Sequence, residues 1–131
     1  MSKVNIFVAK RKTAVARGTI SAGDGKVFIN GKSLDSYGDK LFKMIVTEPM
    51  VLSGEAYKRY NFNIFVKGGG QMARATVARA IIAKSLSSKE KGLRKVFLSY
   101  DRTLLVDDKR VAEPQKPYRS AARALKQTSY R

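Results

Sequence analysis

The stretch from Asn61 to Leu86, NFNIFVKGGGQMARATVARAIIAKSL, limits the fold more than any other part of the chain. Phe62, Ile64 and Val66 alternate with Asn61, Asn63, Phe65 and Lys67. A period of two in β-forming residues predicts a half-buried strand. Gly68, Gly69 and Gly70 end that pattern, and neither Gly nor Pro occurs from Gln71 to Ser88. Within that span Ala75, Ala78, Ile82 and Leu86 recur at steps of three and four, the spacing of an amphipathic helix. Val77 and Ile81 add a second apolar side, so the helix is expected to pack on more than one face. Arg74, Arg79 and Lys84 are expected at its margins, their stems lying along apolar surface. The chain centres on a strand, a glycine turn and a buried helix.

The flanking segments can be placed around this unit. Val4, Ile6 and Val8 alternate with Asn5, Phe7 and Ala9, predicting a first strand that Lys10-Arg11-Lys12 interrupts and that resumes over Thr13–Ile20. Ala22-Gly23-Asp24-Gly25 reads as a turn, Lys26–Ile29 as the return strand, and Asn30-Gly31 as a second turn. A helix is expected from an Asp39 N-cap, with Leu41, Phe42, Ile45 and Val46 on one side and Thr47-Glu48-Pro49 bending or ending it. Ser87-Ser88-Lys89-Glu90 marks a helix end and restart. Leu93, Val96, Phe97 and Tyr100 then have helical spacing, and Leu104, Leu105 and Val106 offer a last apolar anchor.

After that the character changes. From Lys109 to Arg131 the chain has seven basic residues against one acidic, Glu113, and only Leu125 is a large aliphatic beyond Val111. Such a segment buries too little apolar surface to offset its ordering entropy. The reading is therefore a globular domain over 1–108 and an extended basic tail over 109–131. Tyr118 and Tyr130 are interleaved with the tail's charges, so stacking on bases accompanies phosphate neutralisation.

Charge decides the class of partner. Lys and Arg outnumber Asp and Glu 27 to 10, a formal +17 on a 14.5 kDa chain. Self-repulsion of that size is relieved by a polyanion, and nucleic acid is the leading one. An anionic membrane competes, but no apolar run approaches the roughly 18 residues of a spanning helix, and Met1–Lys12 lacks a signal-peptide core. Cys and His are both absent, which removes disulfides, thiolate chemistry, imidazole bases and ordinary zinc sites. No cofactor is expected, and a cytosolic location fits.

Lys10, Arg11, Lys12 and Arg17 are candidate phosphate contacts, for no acid precedes Asp24. Lys67-Gly68-Gly69-Gly70 lies between strand and helix, the local geometry of a phosphate cradle. It matches neither a Walker A loop nor G-x-G-x-x-G, so a tight turn with an RNA phosphate near its amides is a better reading than nucleotide binding. Arg74 just beyond it, and Arg110, Lys116, Arg119, Arg123 and Lys126 in the tail, complete the expected RNA-binding set. Asp107 and Asp108 read as a solvated turn rather than a metal site.

Several of these segments together are similar to the universal family of ribosomal protein nine of the small subunit. They are Lys10–Arg17, Val27-Phe28-Ile29-Asn30-Gly31, Val66-Lys67-Gly68-Gly69-Gly70, Tyr100–Val106 and the terminal Ser129-Tyr130-Arg131, the last two resembling its archaeal and eukaryotic branch. The chain departs from the family pattern at Ala9, Arg74, Lys109, Gln115 and Pro117-Tyr118-Arg119. The resemblance implies an α+β fold like the second domain of ribosomal protein five of the small subunit. That fold has a four-stranded, mostly antiparallel sheet, helices on one face and a left-handed β-α-β crossover.

It further implies no enzymatic activity and a place in the small ribosomal subunit of the cytoplasm. The body would bind ribosomal RNA of the head beside neighbouring head proteins, with no membrane or small-molecule substrate. The tail would reach the peptidyl (P) site, where Tyr130 and Arg131 meet tRNA. The alternative reading is a free-standing RNA- or DNA-binding module of the nucleoid or RNA-chaperone type.

Overall fold

The computed structural model describes residues 5–124, 127 and 129. Five strands form one sheet: β1 (Phe7–Arg11), β2 (Ala14–Ala22), β3 (Val27–Ile29), β4 (Lys32–Ser33) and β5 (Tyr60–Lys67). Three α-helices accompany it, α1 (Lys40–Leu52), α2 (Gln71–Lys89) and α3 (Leu93–Tyr100). The expected unit is present in β5, the glycine turn and α2.

The strand order is β1-β2-β5-β3-β4, antiparallel throughout except for the parallel pair β3–β5. The sheet is thus mostly antiparallel as expected, but it has five strands rather than four. The short β4 is added by the Asn30-Gly31 turn.

Residues 26–29 are not a return strand against β2, because β5 lies between them. The local turn does not dictate that pairing. Asn61 of β5 accepts from the backbone N–H of both Asp24 and Lys26, at 3.0 Å each. The Gly23 and Gly25 amides donate to Arg59 and Tyr60. The loop after β2 is therefore sewn to β5, which carries the longer apolar face.

That face builds the core. Phe62, Ile64 and Val66 of β5 and Ala14, Ala16 and Gly18 of β2 point inward and are buried. Against them lies α2, with Ala75, Val77, Ala78, Ile81, Ile82 and Leu86 buried on more than one side. Burial of each large apolar side chain contributes about 1.5–3 kcal/mol. Small residues facing α2 let helix and sheet approach closely.

α1 packs on α2. Its Asp39 cap works as expected, the carboxylate accepting from the Phe42 N–H at 2.9 Å. Pro49, however, neither ends nor interrupts the helix, which runs on to Leu52. Proline near the C-terminus forfeits only one backbone bond, and its ring is buried in the core. Leu41 faces solvent, so the apolar side of α1 is narrower than expected.

β1 also differs from expectation. Lys10 and Arg11 belong to the strand, and the chain turns only at Lys12-Thr13. The core side of β1 holds buried Ala9 and half-buried Phe7 and Arg11, while Ile6 and Val8 lie on the outer face. The helices therefore cover one face of the sheet and leave the other open.

Candidate nucleic-acid interface

The glycine turn and the β1–β2 turn are packed against each other. Gly68 and Gly69 have φ of 78° and 70°, a region L side chains avoid. A Cβ at position 68 would stand 2.6 Å from the Thr13 carbonyl oxygen, and one at 69 would stand 2.6 Å from Ala14 Cβ. The glycines are thus required by a close backbone approach that sets Lys67 beside the cationic turn. In the β2–β5 register Val15 is opposite Lys67, and Arg17 is opposite Phe65.

The expected RNA-binding residues separate into two groups. Lys10, Lys12, Arg17 and Lys67 are exposed, and among the described residues none makes an ion pair or a side-chain hydrogen bond. β1, β2 and β5 contain no Asp or Glu at all. These cations keep their full charge for an outside partner.

Arg11, Arg74 and Arg110 are engaged internally. Arg74 donates through Nε to the Gly68 carbonyl at 3.0 Å and through Nη1 to the Tyr37 hydroxyl at 3.4 Å, bracing the glycine turn. Arg11 and Arg110 share the carboxylate of Asp108, Arg110 through Nε at 2.9 Å and Nη2 at 2.6 Å. Hydrogen bonds from Arg110, with the charge of Arg11, hold the Asp108 carboxyl far below the usual carboxylate range.

Asp107 is paired too, accepting from Lys84 Nζ at 2.8 Å, and the same ammonium donates to the Val8 carbonyl at 2.7 Å. The expectation of a solvated turn at Asp107-Asp108 is therefore corrected: the two carboxylates clasp the start of the basic segment to β1 and α2. Acids in isolation predict solvation, whereas here the fold brings cations from residues 11 and 84 to them.

Three of the four basic residues of α2, Arg74, Arg79 and Lys84, fold back onto the protein, and Lys89 at its end is exposed. Besides Arg74 and Lys84, Arg79 donates to Glu48 at 2.5 Å, to Asp101 at 3.4 Å and to Thr103 Oγ1 at 3.2 Å. Burial would raise the Asp101 carboxyl, but hydrogen bonds from Thr103 and the nearby Arg79 charge outweigh it and lower it. The bridging role of Lys84 is absent from the sequence-derived set, since its partners are distant in the chain.

Beyond the clasp the described chain is almost wholly exposed. Glu113 accepts from Lys116 at 2.8 Å and from Arg123 at 2.7 Å, and both bonds depress its carboxyl. Arg119 reaches the Arg123 carbonyl at 3.5 Å, and Tyr118 is 91% exposed. Lys126, Tyr130 and Arg131 lie outside the described residues. No helix among the described residues is long and apolar enough to cross a membrane, and no group of His, Cys, Asp and Glu there could hold a metal.

Comparison with known proteins agrees with the resemblance read from the motifs. The family described as "Ribosomal protein S9/S16" matches residues 9–131. A protein of Methanococcus vannielii, "Small ribosomal subunit protein uS9", is 43% identical over 133 residues, covering 98% of this chain and 99% of that one. Its counterpart in Methanococcus maripaludis is 44% identical over the same length and the same shares. The chain belongs to the ribosomal protein S9/S16 family, whose members are structural proteins and not enzymes.

Proposed function

We propose that the chain is a structural constituent of the small ribosomal subunit in the cytoplasm. Its body (1–108) binds small-subunit ribosomal RNA in the head, beside other head proteins. Its basic tail (109–131) runs through RNA to the P site, where Tyr130 and Arg131 contact tRNA. The β3-α1-β5 connection is taken to be the left-handed crossover of this fold.

The observation that carries the reading is how the charge is divided. Glu48, Asp101, Asp107, Asp108 and Glu113 are satisfied within the chain by arginines and lysines. Lys10, Lys12, Arg17 and Lys67 remain as an unneutralised surface, complementary to phosphate. Gly68, Gly69 and Gly70 lie beside them, and Arg119 and Lys126, together with Lys116 and Arg123 that share the one carboxylate of Glu113, extend the cationic track. Arg11, Arg74 and Arg110 act by positioning that track.

A tagged copy should sediment with the small subunit at one copy each after a high-salt wash. A chain lacking Ser129–Arg131 should still assemble while tRNA retention in the P site falls. Loss of the full-length protein from every ribosomal peak would favour a free nucleic-acid binder. Normal tRNA retention by the shortened chain would remove the P-site role.

A further inference from the structure

The sheet face away from the helices is arranged for more than solubility. Two neighbouring rows of outward residues cross its strands, Val8–Arg17–Phe65 and Lys10–Val15–Lys67, set by the β1–β2 and β2–β5 registers. Each row alternates apolar with cationic groups. Phe65, in the middle of β5, is 60% exposed, and Val8 and Val15 are 49% and 37% exposed. Leaving a large aromatic in water on a strand forgoes burial, so a partner that covers it gains that apolar area.

Phe65 and Arg17 stand between two hollows of about 290 and 550 Å³, and line both. Both sides of the Phe65 region are therefore open to a flat group.

We infer that this face is an RNA-stacking platform, with an unpaired base seated against Phe65 and the flanking phosphates held by Lys10, Arg17 and Lys67. The inference rests on the RNA-binding role proposed above and adds a base contact to it. RNA offers the same alternation as the surface, a flat apolar ring beside an anion at each nucleotide. A protein segment would have to answer three unpaired cations with its own acids while covering the same apolar groups. The carboxylate-free strands favour the nucleic acid.

The test uses the full-length chain and a transcript of the 3′ (head) domain of small-subunit ribosomal RNA. Phe65→Ala and Phe65→Leu should each weaken binding about 5- to 100-fold, because stacking on an aromatic is lost in both. Phe65→Tyr should remain within about threefold of the wild type. The salt dependence of Phe65→Ala binding should match the wild type, whereas Arg17→Ala should lower the slope by about one.

Ultraviolet crosslinking of purified subunits should give a nucleotide adduct on Phe65. Wild-type affinity in a folded Phe65→Ala, full rescue by Leu, or an adduct to a protein instead of RNA would each overturn the inference while leaving the ribosomal role intact. A wild-type chain that does not bind the transcript would overturn both.

Discussion

Gly18 sits on the inner face of β2 beneath α2, and replacing it with Ala tests how tightly helix and sheet are packed. The added Cβ would fall well inside the contact distance of Ile81 Cγ2, with Asn63 O at 3.3 Å and Ile64 Cγ1 at 3.4 Å. Ile81 is 1% exposed, and its methyl is rooted on a β-branched carbon with one stiff torsion, so it cannot swing away. Overpacking of this kind costs about 1–3 kcal/mol. Against it, Gly→Ala without strain stabilises by about 0.4–1 kcal/mol through the unfolded chain.

The net expectation is a loss of about 0.5–2.5 kcal/mol, or roughly 2–10 °C in Tm for a domain of this size. Urea and thermal unfolding followed by circular dichroism, in enough salt to screen the charge, would measure it. The control is the same substitution in an Ile81→Ala background. There the obstructing methyl is gone, and the glycine replacement should become neutral or slightly stabilising, giving a coupling of about 1–3 kcal/mol. Equal cost in both backgrounds would show that the Gly18–Ile81 approach does not govern helix docking.

Two further outcomes follow from the hydrogen bonds. Asp39→Ala removes the acceptor for the Phe42 N–H and should lower stability by about 1 kcal/mol, read in urea unfolding, with Asp39→Ser retaining most of it. The carboxyls of Asp101 and Asp108 are held below their unfolded values, so their contribution is present above about pH 4 and is lost as pH falls through the lower folded values. Tm should drop on acidification below that point, and Asp108→Asn should flatten the drop. An unaltered acid limb would mean that the clasp adds nothing to stability.

Legibility from sequence followed the range of the forces involved. The β5–glycine–α2 unit was readable because its periodicities are local and unmixed, and Asp39 because capping is decided within three residues. For residues 26–29 the local turn points to pairing with β2, whereas Asn61, more than thirty positions later, holds the loop to β5. At the first strand the alternation of Val4, Ile6 and Val8 with Asn5, Phe7 and Ala9 leaves open which face is buried, and the fold buries Ala9.

The basic residues show the same limit. Lys10, Lys12, Arg17 and Lys67 have no carboxylate on β1, β2, β5 or the turn between β1 and β2, and they pair with no acid among the described residues. Arg11 and Arg110 found Asp108, and Arg74 found a carbonyl. A sequence shows which residues are charged but not which charges the fold will have used up. Phe65 carries the sequence signal of the open face, as the lone aromatic that alternates into the set of Asn61, Asn63 and Lys67.

The clasp also has a consequence in time. Arg11 and Asp108 are 97 residues apart, and Lys84 joins the Val8 carbonyl to Asp107 across 76 and 23 residues. At about 5–20 residues per second, synthesis separates the first emergence of Arg11 from that of its carboxylate by some 5–20 s. During that interval its guanidinium has no internal partner and is as free as Lys10 and Lys12. Closure of the clasp then withdraws one cation from the end of β1 and fixes the departure point of the basic segment in the same event. The basic segment is anchored only once Asp107 and Asp108 have been made.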